Sequence, residues 1–270
     1  MNKPIMNKSI MNKPMLKTLI PILLLSTTVW AQSTTPGARV ADPGETSPEI
    51  ARLTKALDAA NQRAMDWPNL KRYRTENSAL PAAGADRVVF MGDSITDAWG
   101  RKYGKFFPGK AYVNRGIGGQ TTPQMLIRFR PDVIALNPKV VVILAGTNDI
   151  AGNTGPSTLE MIEDNLASMA ELAKAHNIKV VLSSVMPVCD YIRPQTEKRP
   201  PATILALNQW MKDYAAANGH VYLDYYPAMI DSANLLKKEF TYDGLHPNDA
   251  GYQAIEPVAA AAIAKALEAR

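Results

Sequence analysis

Between Arg87 and Glu268, short apolar runs alternate with longer amphipathic stretches. The runs Arg87–Met91, Ala111–Asn114, Val140–Leu144, Lys179–Val185 and Val221–Asp224 predict strands. Stretches over about 123–136, 157–175, 202–217 and 248–268 predict helices, and an earlier helix is predicted over Pro48–Met65, where Ile50, Leu53 and Leu57 recur at helical spacing. Val140-Val141-Val142-Ile143-Leu144 is apolar at every position, as a strand must be when both of its faces are covered. Such alternation predicts an α/β fold: a three-layer α/β/α sandwich around a five-stranded parallel sheet. No internal repeat or interdomain linker interrupts residues 48–270, so they are expected to form one domain.

The opening of the chain has a different character. Lys3, Lys8, Lys13 and Lys17 precede an apolar stretch from Leu19 to Val29, and Val29-Trp30-Ala31 offers a cleavage point before Gln32. That is the layout of an export signal over residues 1–31. The apolar stretch is shorter than the roughly 20 residues a membrane-spanning helix needs, so stable membrane insertion after cleavage is not expected. Residues 32–47 carry Pro, Gly, Ser and Thr and read as a loose lead-in. Removing four lysines and no acid takes the formal net charge from +5 to +1, which argues against a nucleic-acid partner. A secreted or periplasmic location follows. With Cys189 as the only cysteine, no intramolecular disulfide can form.

Polar clusters stand where three of the predicted strands end: Gly92-Asp93-Ser94, Gly118-Gly119-Gln120 and Gly146-Thr147-Asn148-Asp149. In open parallel sheets, sites form at the carboxyl ends of the strands. Ser94 would sit on a strand-to-helix turn, where its N–H faces charge developing on a bound carbonyl oxygen. Gly118-Gly119 allows close backbone approach, and Asn148 brings an uncharged N–H donor. The chain has three histidines. His176 follows a helical pattern and His220 opens a strand, which leaves His246 in loop context beside Asp243. The Asp243-x-x-His246 spacing would put both side chains on one face of a helical turn, with the carboxylate on Nδ1 and with Nε2 free to take a proton from Ser94. Asp93 and Asp149 are expected to brace loops, Cys189 to be buried after a strand, and Arg115, Arg128 and Arg130 to anchor loops or face solvent, with a reach toward substrate as the alternative. Trp67 and Trp99 are expected to pack, with Trp99 a candidate wall of an acyl pocket.

Taken in order, Gly92-Asp93-Ser94, the Gly119 loop, Asn148 and Asp243-x-x-His246 resemble the four blocks of the SGNH hydrolases, also called the GDSL esterase/lipase family. The resemblance runs over about Arg87 to Ala261. It implies a flavodoxin-like fold, with Ser94 as nucleophile, His246 as base and Asp243 as its orienting partner. It makes the Ser94 and Gly119 amides and the Asn148 side chain oxyanion donors, and it implies no metal and no cofactor. Ile95-Thr96 departs from the leucine that gives the family its name, a variation common among relatives resembling the platelet-activating-factor acetylhydrolase and carbohydrate acetylesterase branches.

The expected activity is hydrolysis of short-chain acyl esters, acetyl above all, through an acyl-enzyme, with a small-molecule or saccharide ester as partner. The segment Gly100–Lys110 is polar and aromatic rather than a long apolar lid. A lysophospholipase- or thioesterase-like lipase is the alternative. Two further readings are a metal-dependent phosphoesterase using Asp93, Asp149 and Asp243, and a binding module without catalysis. The sequence pattern leaves oligomeric state unknown.

Overall fold

The computed structural model describes residues 47–84 and 86–268, so the expected export signal and nearly all of the lead-in lie outside the described residues. Strands β1 (Val88–Gly92), β2 (Tyr112–Gly116), β3 (Val140–Leu144), β4 (Lys179–Ser183) and β5 (Val221–Leu223) form one sheet in the order β2-β1-β3-β4-β5. Every pairing is parallel. The helices are α1 (Pro48–Met65), α2 (Arg74–Ser78), α3 (Ser94–Ala98), α4 (Thr122–Asp132), α5 (Thr147–Ile150), α6 (Leu159–Ala175), α7 (Pro201–Asn218), α8 (Tyr226–Met229) and α9 (Asp249–Glu268).

The strands divide their side chains between two cores. Val89, Met91, Val141, Ile143, Val180 and Leu182 face Met125 and Phe129 of α4, Leu166 and Met169 of α6, and Leu207 and Met211 of α7. Val88, Phe90, Val140, Val142, Leu144 and Leu223 face Tyr252, Ile255, Ala259 and Ile263 of α9 on the opposite side. This division is the period-two alternation of a strand working on both faces, and it explains why no position in β3 is polar. Each fully buried Leu, Ile or Met contributes about 1.5–3 kcal/mol, so the two cores hold the sheet rigid beneath the loops at its carboxyl edge.

Element boundaries follow local chemistry. A capping box of Thr121 and Gln124 starts α4, with Pro123 in its first turn. The predicted helix over 123–136 is in fact α4 plus a separate 3-10 turn over Ile134–Leu136. Pro131 supplies no N–H to the last turn, and Val133 (φ −127°, ψ −67°) leaves helical geometry.

The order β2-β1-β3 places a topological switch between β1 and β3, because the chain leaves β1 for one side and returns to the other. Their register, Val88 opposite Val140 through Gly92 opposite Leu144, ends both strands at the same level. The loops after β1 and β3 therefore open side by side.

Candidate active site

Ser94 is the first residue of α3, immediately beyond β1. Asp93 caps that helix, its Oδ1 accepting from the Ile95 N–H at 2.9 Å. Gly92 makes the tight turn possible, since a Cβ there would lie 2.1 Å from Thr96 Oγ1. Held in this way, Ser94 Oγ lies 2.8 Å from His246 Nε2, across 152 residues of sequence.

The imidazole is fixed from three sides. Asp243 Oδ2 lies 2.7 Å from His246 Nδ1, while Asp243 Oδ1 accepts from the His246 N–H at 2.8 Å and the Leu245 N–H at 3.0 Å. Burial pushes the Asp243 carboxyl up, but the His246 and Leu245 N–H groups outweigh it and hold the group below the usual carboxylate range. An ionised Asp243 requires the proton on Nδ1, which leaves the Nε2 lone pair facing the Ser94 hydroxyl. The Tyr242 ring stacks on the imidazole, with centroids 5.7 Å apart and planes 12° from parallel. Thr241 Oγ1 donates to His246 O at 2.7 Å and closes the loop.

The geometry of this loop differs from the helical turn expected from Asp-x-x-His spacing. Residues 241–247 form a bend between the isolated bridge partners Thr241 and Pro247. Pro247 disfavours helix before it, and Gly244 takes φ +91°. Asp243 and His246 meet because the carboxylate accepts two backbone N–H groups ahead of it, as a capping aspartate does.

The two other strand-end loops come to the same place. A Cβ on Gly118 would lie 3.8 Å from Ser94 Cβ, so this loop passes directly beside the hydroxyl. Gly119 adopts φ +79°, and its N–H, like that of Ser94, donates to no described residue. Asn148 is buried, and its Nδ2 donates to Gln120 O at 3.0 Å, which ties the β3 loop to the glycine loop. Asp149 braces the same junction by accepting the Thr122 N–H at 2.9 Å and the Thr122 hydroxyl at 2.6 Å.

Asp93 is fully buried, and its Oδ2 has no hydrogen-bond partner among the described residues. Burial raises its carboxyl to about 7, with Asp149 adding to the rise and Arg199 opposing it. The buried Arg199 guanidinium donates to Thr147 Oγ1 at 3.1 Å and carries charge within reach of both Asp93 and Asp243. Asp93, Asp149 and Asp243 are engaged separately, and no three His, Cys, Asp or Glu side chains gather as a metal-holding group among the described residues.

Other sequence expectations resolve individually. Trp99 is buried among Phe90, Phe106, Phe107 and Tyr252, so it packs, and it lines neither of the two cavities beside Ser94. Trp67 is 40% exposed and lines a cavity with Ile117, Gly118 and Gln120 beside the glycine loop, a position its sequence context did not reveal. The buried glutamines are the overlooked anchors of that wall. Gln120 Nε2 donates to Pro68 O and Gln124 Nε2 to Trp67 O, each at 2.7 Å. Cys189 is buried after β4, and burial pushes its thiol up, away from the reactive thiolate.

A second cavity, on the His246 side, is lined by Ser94, Asp97, Ala98, Arg101, Lys102, Tyr242 and His246. A parallel α/β sandwich with a serine, an imidazole and a carboxylate in hydrogen-bonded series at its switch point has the architecture of an SGNH-type hydrolase. The profile of the GDSL-like lipase/acylhydrolase family matches residues 90–254. The chain belongs to that family.

A solved GDSL-like lipase from Bacteroides thetaiotaomicron VPI-5482 is 46% identical, with a TM-score of 0.69, covering 74% of this chain and 98% of that one. The uncharacterized lipoprotein YqeF of Bacillus subtilis (strain 168) is 31% identical over 40% of this chain and 51% of its own length. Esterase TesA of Pseudomonas aeruginosa is 32% identical over 38% of this chain and 56% of its own. The matched chain thus spans about half the length of each of these last two relatives.

Proposed function

We propose that this protein is an exported serine esterase that removes short acyl groups, acetyl above all, from small-molecule or saccharide esters through a covalent acyl-enzyme. The observation that carries the reading is the 2.8 Å contact between Ser94 Oγ and His246 Nε2, with Nδ1 held by Asp243. Ser94 Oγ attacks the ester carbonyl as His246 takes its proton, and the carbonyl oxygen becomes an anion. The Ser94 and Gly119 N–H groups and the Asn148 amide donate to that anion. A removed donor of this kind typically costs about 10²–10³ in kcat. The tetrahedral centre collapses by breaking the bond to the alcohol oxygen, which leaves with the proton from His246. Water then enters by the same route, and the acid departs as Ser94 regains its proton.

A short acyl group suits the surroundings of the hydroxyl. The cavities on either side of Ser94 carry Asp66, Lys71, Gln120 and Gln124 on one side and Asp97, Arg101 and Lys102 on the other, with Ile117 and Ala98 the aliphatic side chains among their lining residues. Export rests on the basic and apolar stretches of residues 1–31, with cleavage after Ala31, and draws support from a relative named a lipoprotein. Among the described residues no helix is long and apolar enough to cross a membrane.

Ser94→Ala and His246→Ala are each expected to abolish hydrolysis of 4-nitrophenyl acetate and butyrate, with acetate turned over faster than octanoate by the parent enzyme. Retained turnover in either variant would refute the assignment, and a rate optimum at eight carbons or more would refute the short-chain preference.

A further inference from the structure

Proton transfer assigns direction to the site: the alcohol oxygen must leave beside His246 Nε2 to receive its proton, so the alcohol part of the ester occupies the His246-side cavity. Of the Asp, Arg and Lys side chains that line it, Asp97 and Arg101 hold each other and Lys102 is left. Asp97 is engaged by Arg101, whose Nη1 lies 2.7 Å from Asp97 Oδ1, and Arg101 also approaches Glu76 at 3.8 Å. Asp243 directs its charge to His246 and Leu245, and nearby Asp249 accepts the Gly104 N–H at 2.7 Å.

Lys102 has no such partner. It forms no ion pair among the described residues, and its Nζ lies over two rings, 5.2 Å from the Tyr103 centroid and 4.9 Å from that of Tyr242. Those rings pack on each other at 4.9 Å, and Tyr242 stacks on the imidazole. An exposed lysine ordinarily sweeps through many rotamers. Here cation–π attraction confines the ammonium to the mouth of the cavity that holds the nucleophile. The exposed Arg193 adds a second positive charge within electrostatic reach of the Tyr242 hydroxyl.

We propose that the protein prefers esters whose alcohol part carries an anionic oxygen group, a carboxylate or a phosphate, and that Lys102 recognises it. The proposal rests on the esterase reading, which names the leaving side. A single ammonium at an exposed site discriminates by about two- to fivefold, the scale of a screened ion pair.

The test compares kcat/KM for 4-acetoxybenzoate, 4-acetoxyphenyl phosphate and the uncharged 4-acetoxybenzamide. In Lys102→Met the ratio of charged to uncharged ester is expected to fall about two- to fivefold, to fall further in Lys102→Glu, and to hold in Lys102→Arg. The larger fall, on the carboxylate or on the phosphate, identifies which anion the cavity fits. For the parent enzyme, raising salt from about 0.05 to about 0.5 M should lower the same ratio, a readout that does not depend on any variant folding. An unchanged ratio in Lys102→Met, an equal loss on charged and uncharged esters, or a salt-independent ratio would overturn the anion preference. Failure of the parent enzyme to cleave any of the three would overturn the esterase reading instead.

Discussion

Arg128 donates from Nη2 to the carbonyl oxygen of Gly92 at 2.9 Å, two residues before the candidate nucleophile. Its guanidinium is fully buried and also donates from Nη1 to Arg115 O at 2.8 Å and from Nε to Gln120 Oε1, with Asp132 at 3.2 Å as counter-charge. One side chain thus ties β1, β2 and the glycine loop into a single frame. Arg128→Met removes the counter-charge of the buried Asp132, which keeps only its Asn77 Nδ2 donor, and takes one donor each from Gly92 O, Arg115 O and Gln120 Oε1. The expected loss is about 3–5 kcal/mol of unfolding free energy in a denaturant titration, with a matching loss of esterase activity from the misplaced loop. Replacing Asp132 by Leu in the same chain should recover part of it. A loss below about 1 kcal/mol would show that the frame does not depend on this cation.

Asp93 gives stability an unusual dependence on pH. Its folded carboxyl is raised to about 7 from an ordinary value of 3.8, so between those values the folded chain holds a proton that the unfolded chain has released. The penalty is absent below about pH 4, grows as pH rises, and is complete above about 7. A tenfold difference in proton affinity between the folded and unfolded chain corresponds to about 1.4 kcal/mol. Asp93→Asn keeps an oxygen to cap Ile95 and removes the penalty. Stability measured by denaturation is therefore expected to rise in the variant by a few kcal/mol at about pH 8 and to match the parent near pH 4. A variant destabilised equally at both pH values would contradict this account.

Gly244 is the hinge on which the acid–base pair turns. Its φ is +91°, and a Cβ there would lie 2.4 Å from Cys189 O, a backbone atom that cannot step aside. Gly244→Ala is expected to cost about 1–3 kcal/mol of stability. By displacing His246 from Ser94, it should slow the turnover of nitrophenyl acetate by about 10²-fold. Turnover at the parent rate would mean that the loop tolerates the substitution without moving the imidazole.

Much of the fold was legible in the sequence because the strands are covered on both faces. Val140–Leu144 has no polar position to blur its ends, and its predicted limits coincide with β3. At the sheet edge the signal weakens: the predicted Ala111–Asn114 is in fact Tyr112–Gly116, since Arg115 and Gly116 look like loop residues yet pair with β1. Asn114 is kept in the strand by its own Oδ1, which accepts the Gly116 N–H at 2.9 Å. Strand order was hidden, because nothing local records that β1 lies between β2 and β3.

Within the site, the polar residues at strand ends were visible as types in a sequence order, and the fold brings Ser94, Asp243 and His246 together. Less visible were groups recruited from a distance by backbone contact. The wall at Trp67 exists because Gln120 and Gln124 reach carbonyls more than fifty residues away. Lys102 acquires its place from Tyr242, a partner 140 positions along the chain. Periodicity and motif spacing carry no trace of either contact.

The most direct measurement is the site of covalent labelling. Reaction with diethyl 4-nitrophenyl phosphate, followed by intact-mass and peptide mass spectrometry, is expected to show one diethylphosphoryl group per chain, on Ser94, formed in step with loss of esterase activity. His246→Ala should label slowly, and Ser94→Ala not at all. A label on any other residue, or full hydrolysis by protein whose Ser94 is quantitatively blocked, would contradict the role given to that hydroxyl.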